Sequence, residues 1–123
     1  MIAHVVLFRP RPGLTADGRR RVLAAMLTAA RSVPTVRRCR IGRRILHGLP
    51  GYEQSMREDY EYAAVLEFDD EQGLREYLQH PAHADIGLQF TSSAAASLAY
   101  DFHLVEADEA ERRLPIGGDA ATE

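Results

Sequence analysis

Two segments of this chain alternate like β-strands but are apolar on both faces, and this pattern constrains the fold most. In Ile2 to Arg9, one face carries isoleucine, histidine, valine and phenylalanine, and the other carries alanine, valine and leucine. Tyr60 to Phe68 shows a similar alternation, with Ala63 and Val65 on its second face. A strand with two apolar faces needs cover on both sides. The first segment therefore predicts the central strand of a sheet.

Helical periodicity accounts for most of the chain between the strands. A first helix is predicted from Thr15, which can cap it, to about residue 32, with an apolar stripe at three- and four-residue spacing. A second helix follows the aspartate pair at residues 69–70 and breaks near Pro81. A third helix is predicted over about residues 82–93.

Two further strands complete the pattern. Val36 to Ile45 carries alternating arginines, which indicates an exposed edge strand, and Leu98 to Val105 is the fourth strand. The loop over residues 46–59 is long enough to form a lid or a dimer arm. The resulting order β-α-β-β-α-α-β predicts an α+β, ferredoxin-like sheet with strand order 4-1-3-2 and helices on one face.

The sheet face turned away from the helices indicates whether the chain associates with a partner. Parity places Ala3, Val5 and Leu7 of the first strand on this face, together with Ala63 and Val65 of the third. An apolar face of this size predicts a partner, and a second copy of the chain covers it by symmetry. We therefore expect a homodimer.

The length of 123 residues fits one domain. We assign residues 1–106 to it and interpret the acidic residues 107–123 as a flexible C-terminal tail. No apolar run approaches the roughly 18 residues of a membrane span, and the N-terminus lacks the pattern of a secretion signal. The single cysteine, Cys39, cannot form an internal disulfide. We therefore expect a cytoplasmic protein with no membrane partner.

The formal net charge of -3 conceals a strong segregation of charge along the chain. Residues 1–45 hold eleven arginines and one aspartate, whereas residues 46–123 hold four arginines and seventeen acids. Five of these arginines lie within residues 37–44, but no aromatic residues are interleaved with them. We interpret them as a solvated or ion-paired strand face and expect no nucleic-acid partner.

Five short motifs stand out along residues 2–106. They are the opening AHVVLFR, then VPTVRRCRIG, then YAAVLEFDD, then YLQHPAH at residues 77–83, and the closing YDFHLVE. In combination they resemble the stress-responsive A/B barrel (Dabb) family. The resemblance implies a dimeric α/β barrel, in which two four-stranded sheets form a central barrel with helices outside.

The resemblance also implies a set of site residues. In a plant polyketide cyclase of this family, a catalytic tyrosine and histidine match Tyr77 and His83, and a pocket histidine matches His4. This chain departs at two pocket positions, where Tyr62 replaces a histidine and Met26 replaces a tyrosine. The resemblance therefore implies Tyr77 and His83 as catalytic residues and His4, Met26 and Tyr62 as substrate-binding residues.

A histidine and a tyrosine supply what an aldol cyclase needs, namely a base that works near pH 7 and a donor for the developing oxyanion. Pro81 breaks the helix between Tyr77 and His83 and can turn one side chain towards the other. This reaction needs no cofactor. The alternative is that Tyr77 is a core aromatic residue and that His83 caps the next helix.

His80 and His83 have a spacing that could serve a metal ion, but no acid or cysteine accompanies them at a recognisable interval, so we expect no metal site.

The leading prediction is a small-molecule-binding protein that acts as a cofactor-independent, polyketide-type cyclase on a partly apolar substrate. A non-catalytic stress-response or ligand-carrier protein with the same pocket is the first alternative. A cofactorless oxygenase is the second.

Overall fold

The structure, a computed structural model, describes residues 1–115. Four strands form one antiparallel sheet in the order β2-β3-β1-β4: β1 (Ile2–Pro10), β2 (Arg38–Arg43), β3 (Tyr62–Phe68) and β4 (Ala94–His103). The helices are α1 (Ala16–Ser32), α2 (Glu71–Leu78), α3 (Pro81–Ser93) and the short α4 (Ala110–Arg113). The ferredoxin-like order of elements and the strand order expected from the sequence are both confirmed.

Side-chain caps set the starts of the three long helices. The Thr15 hydroxyl accepts a hydrogen bond from the Gly18 amide at 3.0 Å, and the Asp70 carboxylate accepts one from the Gly73 amide at 2.8 Å. At the start of α3, the ring of His80 accepts from the Ala82 amide at 3.0 Å. The alternative in which His83 caps this helix is therefore wrong, because His80 makes that bond.

The ends of two strands differ from the sequence-based expectation. Strand β2 is shorter than predicted, because Val36 donates its amide to Val33 in a turn before the ladder begins. Strand β4 begins at Ala94 instead of Leu98, since Ala96 and Ala94 pair with Arg9 and Pro10 of β1 across an irregularity in the register. Alanine has a low intrinsic preference for strands, so tertiary pairing determines this end.

The core lies between the sheet and the helices. On β1, the alternate residues Ile2, His4, Val6 and Phe8 are all buried on the helix-covered face, as their parity predicts. The register places Leu66, Ala64 and Tyr62 of β3 opposite three of them on this face. The largest fully buried side chains are Tyr77, Phe68 and Leu66.

Within residues 1–115, the core joins α1, α2 and α3 to the sheet face that carries Val6 and Phe8, and the opposite face contributes no side chain to this core. Val5 and Leu7 are half-buried there, and their β4 partners are Tyr100 and Leu98. Tyr100 is 60% exposed and Phe102 is 48% exposed. We call this surface the open sheet face.

Two segments of irregular or short helical structure lie outside the sheet and the three long helices. The loop over residues 46–59 contains a 3-10 turn at Glu53–Ser55 and is held from within by a hydrogen bond from the Gly48 amide to Glu53. In the segment predicted as a tail, residues 107–113 have helical backbone, and residues 116–123 lie outside the described residues. Within residues 1–115, no helix has the length and apolar character needed to cross a bilayer.

Candidate functional site

Three ring side chains meet on the helix-covered face of the sheet. His4 comes from the middle of β1, Tyr77 from the last turn of α2 and His83 from the first turn of α3. The ring centroids of Tyr77 and His83 are 5.0 Å apart, those of His4 and Tyr77 are 5.7 Å apart, and those of His4 and His83 are 6.3 Å apart. All three pairs have edge-to-face geometry, which is favourable for aromatic rings. We call this group the ring cluster.

The break between α2 and α3 brings Tyr77 and His83 together. On a continuous helix, residues six positions apart would lie about 240° apart around the axis. Instead α2 ends at Leu78, the His80 amide donates to the Tyr77 carbonyl, and Pro81 begins α3. Proline suits the first position of a helix because its missing amide has no helical partner there. The chain therefore turns between the two rings.

An open pocket of about 510 Å³ adjoins the ring cluster. Its polar wall includes His4, Tyr77 and His83, and its apolar wall includes Met26 of α1. The remaining lining residues are mainly apolar side chains from α3 and β4, such as Ile86, Phe90 and Ala99. This volume falls in the range of small-molecule sites, which commonly combine apolar walls with few polar groups.

The structure places Tyr62 elsewhere. It lines a separate, smaller pocket together with Arg19, and its ring lies 6.4 Å from the ring of Phe8. Four of the five sequence-predicted site residues, His4, Met26, Tyr77 and His83, thus line the larger pocket, whereas Tyr62 does not.

Burial sets the protonation states of two members of the ring cluster. It raises the pKa of Tyr77 to about 12, with a smaller contribution from the nearby Cys39 thiol. Burial and the proximity of His4 lower the pKa of His83, against a backbone hydrogen bond with Leu78 that raises it. At neutral pH the site therefore contains a protonated phenol beside an uncharged imidazole, that is, a proton donor beside a base.

Asp101 joins this site although the sequence analysis assigned it no role. The His4 Nδ1 donates to Asp101 Oδ1 at 2.6 Å, and the side chain of Asp101 is 40% exposed while that of His4 is buried. A carboxylate can only accept, so Nδ1 carries the proton of this bond. The register of β1 against β4, which places His4 opposite Asp101, creates the pair.

The described residues offer no group of three or more histidine, cysteine, aspartate or glutamate side chains able to hold a metal ion. Of the histidine pair considered from the sequence, His80 uses its Nδ1 to accept the Ala82 amide at the start of α3.

The antiparallel sheet, the helices on one face and the pocket between them define a ferredoxin-like α+β domain. The model of the stress responsive A/B barrel domain matches residues 2–104. The chain therefore belongs to the stress-responsive A/B barrel family. No curated protein matches it in sequence.

Solved structures extend the comparison. A dimeric ferredoxin-like protein of unknown function from Thermobifida fusca is 27% identical, with a TM-score of 0.66 over 84% of this chain and 90% of that chain. Hydroxynitrile lyase from Passiflora edulis has a TM-score of 0.73 at 11% identity, over 86% of this chain and 94% of that one. SnoaB, a cofactor-independent oxygenase from Streptomyces nogalater, has a TM-score of 0.63 at 16% identity, over 86% of this chain and 94% of that one. The hydroxynitrile lyase and SnoaB have such low sequence identity to this chain that their similarity shows a shared fold and nothing more.

The His4–Asp101 bond leads to a stability prediction. Asp101→Ala should lower the free energy of unfolding by about 1 to 3 kcal/mol, because the buried Nδ1 of His4 loses its acceptor. Asp101→Asn keeps an acceptor oxygen at the same position, so it should lower the free energy of unfolding by less than Asp101→Ala does. Urea denaturation of both variants measures the difference, with Asp85→Ala on the exposed surface of α3 as the control. Equal losses for Asp101→Ala and Asp85→Ala would contradict the assigned role.

Proposed function

We propose that this protein binds a partly apolar carbonyl compound in the larger pocket and catalyses its intramolecular aldol cyclisation without a cofactor. The observation that carries the proposal is the ring cluster, in which Tyr77 and His83 lie 5.0 Å apart at the wall of an open, mostly apolar pocket of about 510 Å³. Such a pocket can hold a flexible chain while the polar groups act on its carbonyls.

The two side chains divide the work of the reaction. The neutral His83 removes a proton from a carbon beside one carbonyl group, and the resulting enolate carbon attacks a second carbonyl of the same molecule. One carbon–carbon bond forms as the π bond of that second carbonyl breaks. Tyr77 gives its proton to the oxygen that gains negative charge. The proton held by His83 then returns to the Tyr77 oxygen, so the cycle consumes and releases no net proton.

The surroundings of each group support these roles. Burial keeps Tyr77 protonated at neutral pH, as a donor must be, and keeps His83 uncharged, as a base must be. His4, held by Asp101, completes the polar wall. Met26 belongs to the apolar wall, where a substrate chain would pack.

The structural neighbours supply a weaker argument. Two of them are named as enzymes, a hydroxynitrile lyase and a cofactor-independent oxygenase, so this fold supports catalysis in other proteins. Their identities of 11% and 16% do not select a reaction for this chain. A ligand carrier or a cofactorless oxygenase with the same pocket would instead return its ligand unchanged or consume oxygen.

Substitution of the pair tests the catalytic roles. Tyr77→Phe and His83→Ala should each reduce the cyclisation rate about 100-fold or more, and the double variant should be little worse than either single one. The assay supplies a series of linear poly-β-ketone thioesters and follows cyclised products by mass spectrometry together with oxygen uptake. Tyr52→Phe, in the exposed loop, is the matched control.

Binding measurements on the same variants separate a catalyst from a carrier. In a catalyst, Tyr77→Phe should weaken substrate binding far less than it slows turnover. Unchanged ligand with every substrate, or oxygen uptake in proportion to product, would contradict the cyclase proposal and favour the carrier or the oxygenase.

The pH dependence of the reaction follows from the shifted pKa values. His83 must be uncharged to act, and its lowered pKa lies below the ordinary value of about 6.5. The rate constant kcat/KM should therefore be constant from about pH 7 to 9 and should fall only below about pH 6.5. Tyr77, with a pKa of about 12, stays protonated across this range. Circular dichroism at each pH controls for unfolding, and an acid limb centred above pH 7 would contradict the role of His83.

We further propose that the domain acts as a homodimer through its open sheet face. This face exposes Tyr100 and Phe102 beside the half-buried Val5 and Leu7, an apolar surface of the kind that proteins cover with a partner. The Thermobifida fusca neighbour is described as dimeric. A second copy covers the face by a two-fold axis, which is the commonest arrangement of identical chains.

A charge placed on the open sheet face tests the dimer. Val5 lies between Val65 and Tyr100 in the register, so Val5→Asp would bury an unpaired carboxylate and should give a monomer or an aggregate. Leu88→Asp, at a site that is 69% exposed on α3, is the control and should leave the mass unchanged. Sedimentation at micromolar concentration measures both. A parent protein that sediments as a monomer would overturn the proposal.

A further inference from the structure

A second pocket of about 60 Å³ lies between α1 and the edge formed by β2 and β3. Its walls are almost wholly apolar and include Val22, Leu23, Ile41 and Ala64. It has a wall in common with the larger pocket, made of Val6, Met26 and Phe90. His4, Tyr77 and His83 do not line it, so its chemistry differs from that of the ring cluster.

Two arginines and one carboxylate lie around Tyr62, which lines one side of this pocket. Arg19 donates to Tyr62 Oη at 2.9 Å and to Glu61 Oε1 at 3.0 Å, and Arg43 contacts Glu61 Oε2 at 2.8 Å. The guanidinium carbons of Arg19 and Arg43 lie 5.8 Å and 6.0 Å from the centre of the Tyr62 ring. Tyr62 and Arg19 both line the pocket. We call these four residues the arginine rim.

The arginine rim carries an excess of positive charge. The hydrogen bond from Arg19 lowers the pKa of Glu61, so this carboxylate is ionised at neutral pH and cancels one of the two arginine charges. The other acids of the adjoining segment are already paired. Asp59 contacts Arg44 at 2.7 Å, and Glu58 contacts Arg9 at 2.6 Å. One positive charge therefore remains beside an apolar pocket.

The geometry of the charge and the size of the pocket limit the ligand. Each guanidinium has five N–H donors in a planar fork, and Arg19 uses one of its terminal nitrogens for both bonds to the rim. The remaining donors match a planar carboxylate better than a spherical ion. A space of about 60 Å³ accommodates roughly four water-sized groups. It therefore suits a chain of about four carbon atoms.

We propose that this second pocket binds a small amphipathic carboxylate, with its carboxylate group on the arginine rim and its short apolar chain between α1 and β3. The proposal does not depend on proton transfer by Tyr77 and His83. A ligand in the second pocket would contact Met26 and Phe90, which also line the larger pocket. Binding in the second pocket would therefore affect the shape of the larger one.

Titration with two probes of equal chain length tests the charge requirement. Pentanoate should bind about tenfold more tightly than pentan-1-ol at low ionic strength, because a charge-assisted contact with an arginine adds to burial of the chain. Added sodium chloride should weaken pentanoate and leave pentan-1-ol unaffected. Amide chemical shifts measured by NMR on the full chain report the affinity and should change at Leu23 and Ala63, which line the pocket.

Two variants locate the carboxylate. Arg19→Gln should weaken pentanoate about tenfold and leave pentan-1-ol nearly unchanged. Arg20→Gln removes the same charge one position away, where Arg20 pairs with Asp17 at 2.6 Å in solvent, and should change neither affinity more than about twofold. If Arg19→Gln fails to fold, Leu23→Glu serves instead, because a carboxylate on this 43% exposed residue at the pocket should repel pentanoate but not pentan-1-ol.

The outcomes separate this proposal from the catalytic one. Equal affinities for pentanoate and pentan-1-ol, or equal losses with Arg19→Gln and Arg20→Gln, would overturn it. Loss of pentanoate binding in Tyr77→Phe but not in Arg19→Gln would place the acid in the larger pocket and would also overturn it. Retention of pentanoate binding in Tyr77→Phe, with loss in Arg19→Gln, supports the second site whether or not the protein is a cyclase.

Discussion

Strand β1 is the constraint on which the rest of the structure depends, because it has neighbours on both edges and apolar side chains on both faces. It pairs with β3 along one edge and with β4 along the other. Since side chains alternate between the faces, a shift of one residue would exchange the two sets of side chains between the helix-covered face and the open sheet face. The same alternation buries His4 under the helices and leaves Val5 on the open sheet face. The position of the site and the surface for a partner thus follow from one strand.

The ring cluster combines burial in the core with acid and base groups in the same side chains. Tyr77 is among the largest fully buried residues, and its ring also lies 5.4 Å from that of Phe68 in the core. Burial that stabilises the fold also raises the pKa of Tyr77 and lowers that of His83. A core aromatic residue and a proton donor are therefore not exclusive interpretations of Tyr77. The break at Pro81 allows a residue of the next helix to reach the same place.

The charge segregation of the sequence has a structural counterpart. Basic residues of the first 45 positions pair with acids that come later in the chain, as Arg37 does with Asp69 at 2.7 Å and Arg44 with Asp59 at 2.7 Å. Such exposed pairs contribute about 0 to 1 kcal/mol each to stability, so they add little to the free energy of unfolding. At Glu61 the charges do not cancel, since two arginines pair with one carboxylate beside an apolar pocket.

Much of the fold could be predicted because its signals act over a few residues. The period of β1, the caps at Thr15 and Asp70 and the break at Pro81 are local, and they determined the order of elements and the face on which His4 lies. Other features depended on residues far apart in the chain. The bond between His4 and Asp101 joins residues 97 positions apart, and the placement of Tyr62 beside Arg19, away from the ring cluster, depends on how α1 packs over β3. By itself the sequence determined the elements and their parity, whereas only the tertiary structure decided which side chains meet, because register and helix packing are set by the whole core.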